Sequence, residues 1–415
     1  MDTGDRISGL PDELHHHILS FLPAREAVHT CVLSPKWRHL WASARRLNVD
    51  TKGFTSQRSF VKFVSALLLS RGCTPLDSFR LDADGPGIFL ENFRETAYQW
   101  ICHALRSNVE ELGIRDHDRD NALDEDGPEA FRLDHCPFTS SCLKRLHLCG
   151  VCVDKCFLKN LFSCCPALED LDMMNCVILA TEFSSATLKK LSIGFGRFPE
   201  LIEYGHTDIV IDMPRLVSLH IGALVRAMLS LVDVQSLVTA SIYLDADKIT
   251  FADGCSIIAA LSNVTNLEFL IPYYERKQHS LQSNMQLCQV VFTNLTTLSL
   301  SDWCLHDNCK ALFYVLEHSP NLEKLTLKMA NHRCYAYFDS PCIAAADDSP
   351  CQEIASFNCE KLKKIEIFNH KDDKAVGMLV TILLTKISSP PEISIKPSPC
   401  YGWVDDLDRW TEYGR

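Results

Sequence analysis

The chain has 415 residues, 47% hydrophobic and 23% charged, which excludes a disordered polymer and a collagen-like repeat. Its formal net charge is −12, from 41 basic and 53 acidic residues, so neutralising nucleic-acid phosphates is not its expected main task. The length fits two or three ordinary domains, or one continuous array of repeats.

Twenty cysteines are compatible with disulfides, metal or reduced thiols. The first residues are polar and acidic, with no basic n-region and no apolar h-region, so no signal peptide is expected. The longest apolar stretch, around 376–384, is too short to span a bilayer. The expected location is the nucleus and/or cytoplasm, where thiols stay reduced and most cysteines act as small core hydrophobes.

Residues 8–47 read as a compact helical block. Pro11 can open a helix, with Asp12 and Glu13 in its first turn. Leu14, Ile18, Phe21 and Leu22 then form one apolar face, and Pro23 ends it. His15, His16 and His17 read as the polar face between Leu14 and Ile18. A second short helix is expected from Ala24 to Leu33, and Ser34-Pro35 is a signal for a third, carrying Trp37, Leu40 and Trp41. About 40 residues cannot bury two Trp, Phe21 and several Leu among themselves, so the surplus apolar surface predicts a partner.

From about residue 76 a Leu-x-x-Leu-x-Leu pattern takes over. Strong copies start at Leu76, Leu143, Leu168, Leu188, Leu216, Leu295, Leu322 and Leu362, and weaker ones at Val109, Leu237 and Leu267. Most steps fall in or near the 20–29 residues of a leucine-rich repeat. Each copy predicts one short parallel strand, returned by a helical segment such as Phe157–Phe162 or Leu312–Leu316. The acidic run from Asp116 to Glu129 reads as a solvated loop and fails as a calcium loop, since Asn121 stands where Gly is needed. Residues 331–356 are a second expected loop.

Leu10-Pro11-Asp12-Glu13-Leu14, Ile18-Leu19-Ser20-Phe21-Leu22-Pro23, Val32-Leu33-Ser34 and Trp37-Arg38-His39-Leu40-Trp41 closely resemble an F-box. Together with the repeats, the chain resembles the plant F-box and leucine-rich-repeat family. Residues 357–397 resemble that family's FBD-type C-terminal region: a Leu-Lys-Lys-Ile strand, an apolar helix and a closing Ile393-Ser-Ile395 strand. The expected fold is α/β: a small all-helical F-box, then a leucine-rich-repeat solenoid with parallel strands on the concave face and helices and loops on the convex face. The expected parts are an F-box at 6–47, a helical linker at 48–75, repeats at 76–356, the FBD-like region at 357–397 and a tail at 398–415.

The resemblance implies the substrate-recognition subunit of an SCF-type (Skp–cullin–F-box) ubiquitin ligase. Its F-box would dock on a Skp-family adaptor through Leu10, Pro11, Leu14, Ile18, Leu22, Val32, Leu33 and Trp37. Through the adaptor it would reach the cullin and RING subunit, with the repeats binding an unknown target protein. Alternatives are an F-box scaffold acting outside the ligase and a small-molecule hormone co-receptor.

Strand alternation nominates the target-facing residues as those between the inward leucines. They include Arg145, His147, Asp170, Asp172, Lys190, His220, Tyr243, Phe269, Tyr273, Lys324, Lys328, Lys364 and Glu366, a mixture of charge and aromatics suited to protein binding.

Catalytic residues are not expected: Ser, His and Asp are scattered without a nucleophile elbow, and Gly85-Pro86-Gly87 lacks the following Gly-Lys-Ser/Thr of a phosphate loop. Cys149, Cys152, Cys156, Cys164 and Cys165 suggest a zinc site but lack a second well-spaced pair, so core thiols are the expectation. No cofactor, metal, nucleic acid or membrane partner is expected.

Overall fold

Pro11 (φ −57°) and Pro23 (φ −54°) stand at the N-caps of α1 (Asp12–Leu19) and α2 (Ala24–His29), where a backbone N–H would have no helical acceptor. The computed structural model describes residues 7–72, 74–83, 91–116, 131–133, 138–194, 208–222, 228–243, 251–270, 290–301, 304, 306–329, 359–369, 374–387 and 390–397. These fall into two units: one holds residues up to 181 and 187–194, the other holds Glu182–Ala186 and 208–397.

In the first unit, α1 and α2 are followed by a 3-10 turn at Thr30–Val32. The third expected helix does not form. Ser34 to Leu40 is a run of turns closed by i+3 bonds (Trp37 N–H to Ser34 O, 3.1 Å; Leu40 N–H to Trp37 O, 3.4 Å), and a 3-10 turn covers Leu40–Ser43. This tight path turns Trp37 inward, where it joins Leu19, Ala27 and Ala44 in a core lined by Leu22, Leu40 and Trp41. The buried face of α1 is therefore His15 and Leu19, not Leu14 and Ile18. His15 is accommodated because its Nε2 lies 2.9 Å from the Ile7 carbonyl oxygen.

The strand series begins earlier than expected. β1 (Arg46–Asp50) pairs in parallel with β2 (Ser78–Ala83), and α3 (Gln57–Arg71) runs between them. The stretch expected as a helical linker is therefore largely the first repeat, with Ala44-x-x-Leu47-x-Val49 in the leucine positions and Ala44 shared with the F-box core. Next in the chain come α4 (Glu91–Arg106), β3 (Glu111–Asp116), β4 (Phe131–Arg132), β5 (Arg145–Cys149), β6 (Val151–Val153), α5 (Lys155–Cys164), β7 (Asp170–Met174), β8 (Val177–Ile178) and, beyond β9, β10 (Lys190–Gly194). β2, β3, β5, β7 and β10 continue the parallel ladder, while β4, β6 and β8 make a small separate sheet.

Register stacks like on like: Leu81, Ile114, Leu148, Met173 and Ile193 form one buried row. Each such side chain contributes about 1.5–3 kcal/mol by leaving water, and does so only against its neighbours. Asp154 caps α5 by accepting the Phe157 N–H at 2.7 Å. Asp116, expected in a solvated loop, is instead buried at the end of β3. Gly150 (φ +71°) follows β5, and a Cβ there would sit 2.0 Å from the Asp116 carbonyl oxygen, so only glycine fits.

In the second unit, β9 (Glu182–Ser184), β11 (Asp208–Asp212) and β13 (Met228–Asp233) form a small parallel sheet. The main series is β12 (Ser218–Ile221), β14 (Thr239–Tyr243), β15 (Asn266–Leu270), β16 (Thr297–Ser301), β17 (Lys324–Lys328), β18 (Lys364–Asn369) and β19 (Glu392–Pro397), all parallel. Helices α6 (Phe251–Ala260), α7 (His306–Glu317) and α8 (Lys374–Lys386) alternate with them. Ile258 of α6 and Val315 of α7 meet Leu267, Leu298 and Leu300, so these helices cover the leucine face and leave the other face polar. The strand–helix–strand ending matches the expectation for 357–397 in its described parts.

Candidate functional site

Two surfaces collect the side chains nominated from the sequence. The first lies on the F-box. With His15, Leu19 and Trp37 turned inward, Leu14, Ile18, Phe21, Val32 and Leu33 remain exposed, Val32 at 84% and Leu33 at 59%. Ile7 is exposed as well, so six large apolar side chains of a block this small are uncovered, three of them on or just past α1 and two at the end of the 3-10 turn that follows α2. Pro11 is exposed beside them, while Leu10 and Leu22 are half-buried. Trp37, expected as a contact residue, is 1% exposed and supports the patch from beneath. Phe21 is the member the motif assignment left out, although its seven-residue spacing from Leu14 marked it. Lys36 ties the start of α1 to the turns that follow, 3.2 Å from Asp12 and donating to the Leu10 carbonyl at 3.0 Å; it holds the Asp12 carboxyl below its ordinary value.

The second surface is the polar strand face, and each unit carries its own part. In the first unit, Arg145 on β5 and Arg80 on β2 flank Glu111 on β3, at 2.9 and 3.1 Å. Burial acts to raise the Glu111 carboxyl, but the hydrogen bonds from Arg145 and Arg80 outweigh it and leave it lowered. Arg145 and His147 are in register with Asp170 and Asp172 on β7, so these four expected residues stand together. They are not equally accessible. His147 (1% exposed) and Asp172 are a buried pair at 3.6 Å, whereas Arg145 and Lys190 reach solvent. Burial pushes the Asp170 carboxyl up.

In the second unit, Tyr243 is half-buried on β14 and Lys324 is open on β17. Tyr273 lies outside the described residues. Phe269 corrects the expectation: it is 3% exposed and packs with Leu298 and Leu300. The β14–β15 register aligns Ala240 with Leu267 and Ile242 with Phe269, so the repeat starts at Val264, three residues before the expected Leu267. An odd slip exchanges the two faces of a strand. The outward residue is Glu268, which accepts from Lys328 Nζ and Ser241 Oγ, each at 2.6 Å.

Among the described residues, the densest charge group is at Glu366 on β18. Lys324, Lys364 and Lys396 reach its carboxylate at 2.6, 3.0 and 2.7 Å and hold it well below the usual range. Among the described residues no group of three or more His, Cys, Asp and Glu is arranged to hold a metal, and no helix is long and apolar enough to cross a membrane.

Comparison with known proteins places both surfaces in a family context. Residues 7–48 match the F-box domain, and residues 129–395 match the "At1g61320/AtMIF1, LRR domain". Similar proteins in Arabidopsis thaliana include F-box/LRR-repeat protein At3g58940, 28% identical over 86% of this chain and 60% of its own length. F-box/LRR-repeat protein At4g14096 is 28% identical over 89% of the chain and 82% of itself, and F-box/LRR-repeat protein At3g59200 is 29% identical over 89% and 77%. The chain thus spans less than two thirds of the first of these relatives, and more of the other two. With an F-box at its start and a repeat-domain match over well over half its length, the chain belongs to the plant F-box/LRR-repeat family.

Proposed function

We propose that this chain is the substrate-recognition subunit of an SCF-type ubiquitin ligase. Its F-box docks on a Skp-family adaptor, and the polar strand face captures a protein for ubiquitination. The observation that carries the reading is the exposed patch of Leu14, Ile18, Phe21, Val32 and Leu33, which lies wholly within the F-box match. Apolar side chains left uncovered on so small a block gain by being buried against a partner.

No residue of the chain is assigned a catalytic role, because ubiquitin transfer belongs to the RING subunit and its conjugating enzyme. The site of action is the nucleus, the cytoplasm or both. The test is co-purification with a Skp-family adaptor and a cullin. Wild-type chain is expected to bring down both, and Val32→Asp/Leu33→Asp neither. Adaptor without cullin would favour a scaffold outside the ligase, and capture of neither would sink the reading.

A further inference from the structure

The last three strands of the second unit carry an arrangement that the family match does not explain. Three inner rows run across them in register: Lys324, Lys364 and Glu392; Thr326, Glu366 and Ser394; Lys328, Phe368 and Lys396. Glu366 sits in the middle and is buried, while the three lysines that reach it keep side-chain exposures of 41%, 39% and 45%. One carboxylate thus gathers three ammonium groups at a point, and with Glu392 standing in register with Lys364 the group keeps a local surplus of one positive charge. Each ammonium has three donors, and the carboxylate engages only part of them. Lys328 is held the same way by Glu268 at 2.6 Å, with 48% of its side chain exposed. Phe368 lies between Lys328 and Lys396, whose Nζ is 5.6 Å from the ring centroid, and adds an apolar spot within the charge.

We infer that this face docks an acidic segment of a protein partner, with Asp or Glu side chains on the lysine cluster and an apolar residue on Phe368. The inference rests on the reading of the polar strand face as the capture surface. Charge complementarity selects the occupant: against a chain of net charge −12, four tethered lysines on three strands are a local reversal of sign. The cluster extends about 10 Å across the strands and about 13 Å along them, which suits several carboxylates in sequence better than one isolated anion. Buried Glu366 already restrains the lysines, so less side-chain entropy remains to be lost on binding.

The test uses the full chain with its adaptor and three fluorescein-labelled ten-residue peptides: one with five Glu and a central Phe, its Gln counterpart and its Lys counterpart. Anisotropy should show the Glu peptide binding at least tenfold tighter than either other, with affinity falling as salt rises. Lys364→Glu/Lys396→Glu should lose at least tenfold. Lys324→Gln/Lys328→Gln, which places no new carboxylate beside Glu366, should lose severalfold. Lys159→Gln, exposed on α5 in the other unit and away from the strand face, should change binding by less than twofold. Equal binding of the Gln peptide, preference for the Lys peptide, or full binding by both lysine variants would overturn the inference. Loss of the Glu preference with adaptor binding intact removes this inference alone. Loss of adaptor binding with the Glu preference intact removes the ligase reading alone.

Discussion

Trp37 stands edge-on to His15, with ring centroids 4.9 Å apart and planes at 82°, and both side chains are shut off from solvent. The motif tryptophan and a histidine that reads as surface in the sequence are therefore one packing unit. It fixes α1 over the turns at Ser34–Leu40 and leaves Leu14 and Ile18 facing outward. The buried His15 and Leu19 and the exposed Leu14 and Ile18 lie on adjoining faces of the same short helix.

Replacing Trp37 by Ala should accordingly act on stability. A buried Trp→Ala costs about 3–5 kcal/mol, and the F-box core has few other large groups to absorb it. Hydrogen exchange over residues 12–44 should accelerate, with protection in β14–β19 retained. Val32→Asp should change stability by at most about 0.5 kcal/mol, being 84% exposed, yet abolish adaptor capture. If Val32→Asp unfolds the block, the division between core and patch is wrong.

Phe269 supplies a second contrast, between neighbours on one strand. Phe269→Ala opens a cavity against Leu298, Leu300 and Val315 and should cost about 3–5 kcal/mol in denaturant unfolding of the second unit. Glu268→Ala removes the partner of Lys328 on the opposite face and should leave the midpoint nearly unchanged. The reverse order would restore the frame that starts the repeat at Leu267.

That frame shows what the sequence does and does not disclose. The F-box and the regular repeats were legible because their signal is local: proline at helix starts, and leucines at fixed spacing. The register at Leu267 was not, because in Val264-x-x-Leu267-x-Phe269-Leu270 a leucine can be the first or the second of the pattern, and only pairing with Ala240 decides. The first repeat was hidden because Ala44, serving the F-box core, replaces its leading leucine. The inward turn of Trp37 was hidden because it depends on α1 packing above it. Charge clustering at Glu366 was half legible: Lys324 and Lys364 stood in the expected outward series, but Lys396 enters it only through the pairing of β18 with β19.

Glu366 also sets an acid limit. Its carboxyl is held far below the ordinary 4.5 by hydrogen bonds from Lys324, Lys396 and Lys364. A pKa lower in the folded than in the unfolded chain contributes stability above the unfolded value, and that contribution is lost as pH falls toward the folded one. Wild-type chain should lose thermal stability progressively below about pH 4.5. Glu366→Gln should start lower at pH 7, with three lysines left unscreened, and fall less steeply in acid. Parallel melting-temperature profiles for the two proteins would remove Glu366 from the account.

Twelve of the cysteines among the described residues are free thiols, and their surroundings rank their reactivity. Burial pushes Cys165 and Cys359 up to about 11 and Cys176 well above its ordinary value, so at neutral pH these three hold almost no thiolate, the reactive form. Access closes them further. Cys165 sits under Phe138 with its Sγ 3.7 Å from the Phe138 carbonyl oxygen, and Cys176 Sγ lies 3.3 Å from the Met174 carbonyl oxygen. Cys156, on the outer side of α5, is exposed. Iodoacetamide at pH 7.5 should therefore modify Cys156 rapidly in the folded chain, and Cys165, Cys176 and Cys359 only at the rate of unfolding. Peptide mass mapping against time reads this directly. Early modification of Cys176 would mean that the packing between β5, β6 and β7 opens far more readily than its buried leucines imply.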